Sequence, residues 1–197
     1  MRIQEILTEA RYSSTIVVDV QPTYSWTINF APELMNFLNT QKRILMLTNG
    51  DQSGMTSDSK GSVIEYWQDN GFMNWDAITY FDKGYGYLRN WMDLGVSENT
   101  IIRTIREMYT QRVGVSEELF KNSEDPEVEL EKFLGNGYID EYMIDDPIYI
   151  NWISLKMLKQ FSGSYIVGGG KEECLKEVEL LMSAFNIKAT RIAKFVY

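Results

Sequence analysis

Thr15-Ile16-Val17-Val18-Asp19-Val20, followed by Gln21-Pro22, is the stretch that decides the fold. Every residue in the first run except Asp19 is β-branched, and the run does not alternate polar with apolar. A strand that reads apolar throughout is buried on both faces, and such strands belong to parallel sheets covered by helices. Pro22 closes the strand, because proline has no N–H to give to a ladder.

Working outward, Arg43-Ile44-Leu45-Met46-Leu47-Thr48 repeats the pattern and is closed by Asn49-Gly50. A short third strand is expected over Ala77–Phe81, a fourth at Ser164-Tyr165-Ile166-Val167, and a last one from Lys188 to about Val196. Helical patterns lie between them. Pro32 in a first turn, with Leu34, Phe37 and Leu38 behind it, predicts a helix over Ala31–Asn39. Val63, Ile64, Tyr66 and Trp67 predict another, ended by Asn70-Gly71. Further helices are expected over Tyr87–Asp93 and over Ser97–Tyr109, the second capped by Ser97 with Ile101, Ile105 and Met108 on one face. One more runs from Asp145-Asp146-Pro147 to about Gln160, and an amphipathic helix covers Lys171–Phe185. Ile3, Ile6 and Leu7 mark a short amphipathic arm, and 113–146 is acidic and irregular. Strands alternating with helices predict an α/β fold. The expectation is a three-layer, mostly parallel sheet of about five strands, ordered 3-2-1-4-5 and Rossmann-like. Residues 1–197 read as one domain with a helical insertion around 86–160.

Composition narrows the function. The net charge is −9, and the longest basic cluster is Lys42-Arg43, which argues against nucleic-acid binding. No stretch of 18 apolar residues exists, so no membrane span is expected, and Met1–Arg11 lacks the apolar core of a signal peptide. Cys174 is the single cysteine, which rules out an intramolecular disulfide and suits a reducing, cytoplasmic setting. There is no histidine, which excludes a Ser-His-Asp triad and a conventional zinc site. No metal and no cofactor are expected. Gly168-Gly169-Gly170 departs from the dinucleotide fingerprint, and Glu172 and Glu173 would repel phosphate. The aromatic, glycine-containing segment Gly84–Trp91 reads as a lid, a partner surface or a cover over the sheet edge.

In an open α/β sheet, ligands bind beyond the carboxyl ends of the strands, at the point where strand order reverses. Asp19 lies near the end of the first strand and Cys174 follows the fourth, so the order 3-2-1-4-5 makes them neighbours there. A helix N-terminus lowers a thiol pKa and offers a backbone N–H to an oxyanion. Two plainer readings stand beside this one. Cys174, Val178, Leu181 and Phe185 lie at helical spacing, so the cysteine also reads as a small buried apolar residue. Asp19 also reads as a turn cap, and Lys83 as a solvated turn lysine.

Asp19-Val20-Gln21 resembles the strand ending Asp-x-Gln of the isochorismatase-like cysteine hydrolases. Lys83 falls where that family has a lysine past strand three. Gly168-Gly169-Gly170-Lys171-Glu172-Glu173-Cys174 has the family's spacing from strand-end glycine to nucleophile. The resemblance implies Cys174 as nucleophile, Asp19 as general base and Lys83 as stabiliser of negative charge, with Gln21, Gly168, Gly169 and Gly170 contacting a small-molecule ligand. It also implies a homo-oligomer. The missing histidines, the acidic Lys171-Glu172-Glu173 in place of small residues, and the ending at Tyr197 favour a non-catalytic binding or assembly protein on this scaffold. The alternative is a hydrolase of a small amide, ester or enol ether. Met1–Glu9 and the segment from Gly168 to Tyr197 also resemble uncharacterised proteins of large tailed bacteriophages, which implies host cytoplasm or association with a virion.

Overall fold

The computed structural model describes residues 13–48, 58–83, 92, 95–111 and 155–197. The expected N-terminal arm, the helix over Tyr87–Asp93 apart from Met92, the segment Gly84–Trp91, the acidic stretch 113–146 and the helix start at Asp145 lie outside the described residues.

Five parallel strands form one sheet in the order β3-β2-β1-β4-β5. They are β1 (Ser14–Val18), β2 (Arg43–Thr48), β3 (Ile78–Asp82), β4 (Ser164–Gly168) and β5 (Ala189–Arg191). The central pairings set Ile16 beside Leu45 of β2 and Ile166 of β4. The helices are α1 (Ala31–Leu38), α2 (Lys60–Asp69), α3 (Glu98–Gln111), α4 (Leu155–Lys159) and α5 (Cys174–Ala184).

Because side chains on a strand alternate between faces, each central strand feeds two cores. Val17, Ile44, Met46 and Val167 pack with Leu34, Met35 and Leu38 of α1 and with Val63 and Trp67 of α2. Ile16, Val18, Leu45, Leu47 and Ile166 pack with Leu158 of α4 and with Leu175, Val178 and Met182 of α5. The sheet therefore lies between two helical layers, a three-layer α/β fold. No helix among the described residues is long and apolar enough to cross a membrane.

The local signals behave as their chemistry requires. Ser59 caps α2, its hydroxyl accepting from the Ser62 N–H at 3.1 Å, and Gly71 past the end of that helix has φ +91°. Ser97 caps α3 in the same way through the Thr100 N–H. Two expectations need correction. β1 ends at Val18, so Asp19 and Val20 leave the strand instead of completing it. The last strand is three residues long, Ala189–Arg191, not Lys188–Val196. After it the chain turns through a 3-10 turn at Ala193–Phe195 and sends Phe195 into the core, with its ring 5.8 Å from that of Phe30 and 5.6 Å from that of Phe37. An apolar run beyond a strand can be drawn out of the ladder by a pocket of aromatic rings, and its pattern alone does not reveal it.

β1 and β4 leave no room for a side chain where Gly168 lies beside Val18 at their carboxyl ends. Gly168 has φ +77°, and a Cβ there would lie 2.3 Å from the Val18 carbonyl oxygen. Gly168→Ala is expected to destabilise the fold by at least about 2 kcal/mol, because both the backbone conformation and the space exclude a side chain. Urea denaturation of the two proteins measures this, and an effect below about 0.5 kcal/mol would show that the two strand ends move apart freely.

Candidate active site

Asp19 and Lys83 each sit one residue beyond a strand, at the carboxyl edge of the sheet. The Asp19 N–H donates to the Leu47 carbonyl at 2.9 Å, and the Lys83 N–H donates to the Thr48 carbonyl at 2.8 Å. Each residue thus extends its ladder by one bond. Asp19 then turns into the left-handed region, with φ 49°. Aspartate tolerates this conformation better than most side chains, yet it remains a strained choice for a residue after a β-branched run.

The turn brings the Asp19 carboxylate to Lys83, with Oδ2 3.0 Å from Nζ. The Asp19 side chain has no exposed surface and that of Lys83 is 10% exposed. Among the described residues no well-aligned hydrogen bond reaches either carboxylate oxygen, so the ion pair is the main compensation for burying that charge. Burial opposes the charge on Lys83, but the Asp19 carboxylate beside it, with Glu177 adding to it, more than offsets that. The ammonium is held above the usual lysine range.

Cys174 arrives from the other side. The chain leaves β4 through Gly168, Gly169 and Gly170 and enters α5 at Cys174. Helix α5 starts later than its periodicity from Lys171 suggests, because Lys171–Glu173 form a turn. Glu173 N–H and Leu175 N–H both donate to the Gly170 carbonyl, at 3.0 and 3.2 Å. Cys174 lies between them at the first helical position, where amides have no intrahelical acceptor. The residue as a whole is partly exposed, and its largely buried sulfur lies near enough to the Asp19 carboxylate to feel its charge.

The thiol pKa is raised, opposite to the expectation from a helix N-terminus. Burial is the largest cause. The charge of Asp19 and its contact with the thiol add to it, Glu177 adds more, and Lys83 pulls the other way without prevailing. The acidic neighbour within α5 that bears on the thiol is Glu177, one helical turn on.

The other sequence-selected residues have distinct positions. Gln21 is fully buried, and its amide donates to the Asp58 carboxylate at 2.9 Å. Asp58 also accepts from the Thr23 N–H, which fixes the loop after β1. Trp67 secures the same loop by donating its indole N–H to the Val20 carbonyl at 2.7 Å. Gly169 has φ +64°, and a Cβ there would press on the Leu175 backbone. Gly168 and Gly169 therefore shape the path into Cys174, and Gly170 supplies the carbonyl that both flanking amides share.

Two residues join the site that the sequence reading did not select. Glu177 is 8% exposed, and its spacing from Cys174 places it on the same helical face. That spacing was a usable signal. Tyr197 donates its hydroxyl to the Asp19 carbonyl at 3.0 Å, and its phenol is pushed up by burial and by the charge of Asp19. Nothing local announces Tyr197. Among the described residues no three His, Cys, Asp or Glu side chains converge as a metal site would need. The chain matches no protein-family model, no curated protein and no solved structure.

The raised thiol has a consequence for stability. Folded Cys174 keeps its proton at pH values where an unfolded cysteine, with a pKa of about 8.5, releases it. Stability from this group is intact below that pH and falls as the pH rises above it. Urea melts between pH 7.5 and 10 should show this decline, and Cys174→Ala should flatten it. Equal slopes for both proteins would contradict the raised thiol.

Proposed function

We propose that this chain is a thiol-dependent hydrolase of a small amide or ester, with Cys174 as nucleophile, Asp19 as general base and Lys83 as its charge partner. The observation that carries the reading is the buried Asp19 carboxylate. It is ion-paired to a nearly buried lysine, lacks well-aligned hydrogen bonds among the described residues, and lies near the thiol of a partly exposed cysteine. A purely structural ion pair gains little from such burial, whereas perturbed charges clustered at strand ends suit a reaction centre.

The chemistry follows from the protonation states. Because the resting thiol is neutral, it must lose its proton as it attacks, and Asp19 is the base in reach. The Cys174 proton passes to the Asp19 carboxylate while sulfur bonds to the substrate carbonyl carbon. The carbonyl π electrons move to oxygen, and the Cys174 N–H at the start of α5 is suitably placed to stabilise the oxyanion. Collapse expels the amine or alcohol, which takes the proton back from Asp19. Water then attacks the thioester, giving one proton to Asp19, and the acid product leaves as the thiol is restored. Lys83 offsets the negative charge that accumulates among Asp19, Glu177 and sulfur.

A second reading, a non-catalytic binding or assembly protein on an isochorismatase-like scaffold, draws on the raised thiol and the absence of imidazole. Incubation with p-nitrophenyl acetate followed by intact-mass measurement separates the two. The hydrolase reading expects a burst of nitrophenolate and one acetyl group on Cys174. The burst should vanish in Cys174→Ala, and steady turnover, in which Asp19 must take a proton from the attacking water, should slow at least about 100-fold in Asp19→Asn. No acylation of the folded wild-type protein, or equal rates in Asp19→Asn, would leave the binding reading in its place.

A further inference from the structure

We propose that Tyr197 is a positioning residue that clasps the two halves of the site, fixing the left-handed turn at Asp19 and the glycine loop that delivers Cys174. The inference rests on the proposed action of Asp19 on Cys174 and extends it to a residue outside that pair.

The contacts are of three kinds. The Tyr197 hydroxyl donates to the Asp19 carbonyl at 3.0 Å. Its backbone lies along the glycine loop, with Tyr197 N–H donating to the Gly169 carbonyl at 3.2 Å and Lys171 N–H donating to the Tyr197 carbonyl at 2.8 Å. Its ring lies beside Tyr24, centroids 6.2 Å apart, in the loop that follows Asp19. Tyr197 therefore touches the end of β1 through its side chain and the entrance to α5 through its backbone.

The hydroxyl bond falls where it has most leverage. Asp19 is in an unfavourable backbone region, and its carboxylate direction depends on holding that turn. The carbonyl that Tyr197 engages belongs to the same residue. Releasing it lets the turn relax and swings the carboxylate away from Lys83 and from the thiol. Among the described residues, the charged and titratable groups that act on Cys174 and Tyr197 include Asp19 after β1, Lys83 after β3, Glu177 on α5, and Tyr24 and Glu173 beside Tyr197. Of these, Asp19 is the one whose backbone Tyr197 holds.

Tyr197→Phe keeps the ring and the backbone bonds and removes only the hydroxyl. The test is the rate of Cys174 alkylation by iodoacetamide at one fixed pH near 8.5, in wild type, Tyr197→Phe, Asp19→Asn and the double variant. Asp19→Asn removes a negative charge beside sulfur and should speed alkylation at least about tenfold. Tyr197→Phe should speed it about three- to tenfold in the wild-type background, the range expected for one lost hydrogen bond. In the Asp19→Asn background it should change the rate by less than about twofold, because the carboxylate it positions is gone. Equal acceleration in both backgrounds would mean that Tyr197 merely screens the thiol, which overturns the proposal. So would a fast Asp19→Asn with an unchanged Tyr197→Phe. An unchanged Asp19→Asn would instead remove the action of Asp19 on Cys174, and the clasp with it.

Discussion

A carboxylate with no exposed surface has to be held by something, and Asp19 is held by Lys83. The pair ties the end of β1 to the end of β3 across the intervening β2, and both residues reach it by adding one ladder bond beyond their own strand or its neighbour. Losing either partner leaves a buried charge alone, which costs more than the pair contributes. The left-handed backbone of Asp19, the close fit of Gly168 against Val18 and the loop bonds from Trp67 and Asp58 all serve to keep the carboxylate at this edge.

On the other side of the crevice, geometry and electrostatics pull in opposite directions. The glycine loop places Cys174 at the first position of a helix, where a thiolate is usually favoured. Burial and two nearby carboxylates outweigh that placement, and the thiol keeps its proton. In the proposed hydrolase, a thiol in this state is inert until a base takes its proton at the moment of attack. That makes the direction of the Asp19 carboxylate more consequential than the resting acidity of sulfur. It also explains why a residue with no chemistry of its own, such as Tyr197, gains importance: it engages the backbone that sets that direction.

The architecture was largely legible. The apolar runs Ile16–Val18 and Ile44–Leu47 behave as doubly buried strands because they offer no polar face to water. The strand order 3-2-1-4-5 was an expectation for a sheet of this class, and the strand pairings bear it out. Boundaries were less legible. β1 stops before Asp19 because the carboxylate is drawn to Lys83, and β5 stops at Arg191 because Phe195 is drawn to Phe30 and Phe37. Both forces come from residues far away in sequence.

The site divides along the same line. The residue types and their places near the carboxyl ends of β1, β3 and β4 were set by the sequence alone, since the apolar runs locate those strands even where they do not fix the last residue. Glu177 was within reach, because helical periodicity places it one turn from Cys174. What the tertiary structure alone decided was the balance of charge and the aim of each group. Lys83 stays charged and Cys174 stays neutral because of what surrounds them, and Asp19 is aimed by a tyrosine 178 positions later. Proton affinity and side-chain direction depend on distances between elements that only packing establishes, so no local pattern encodes them.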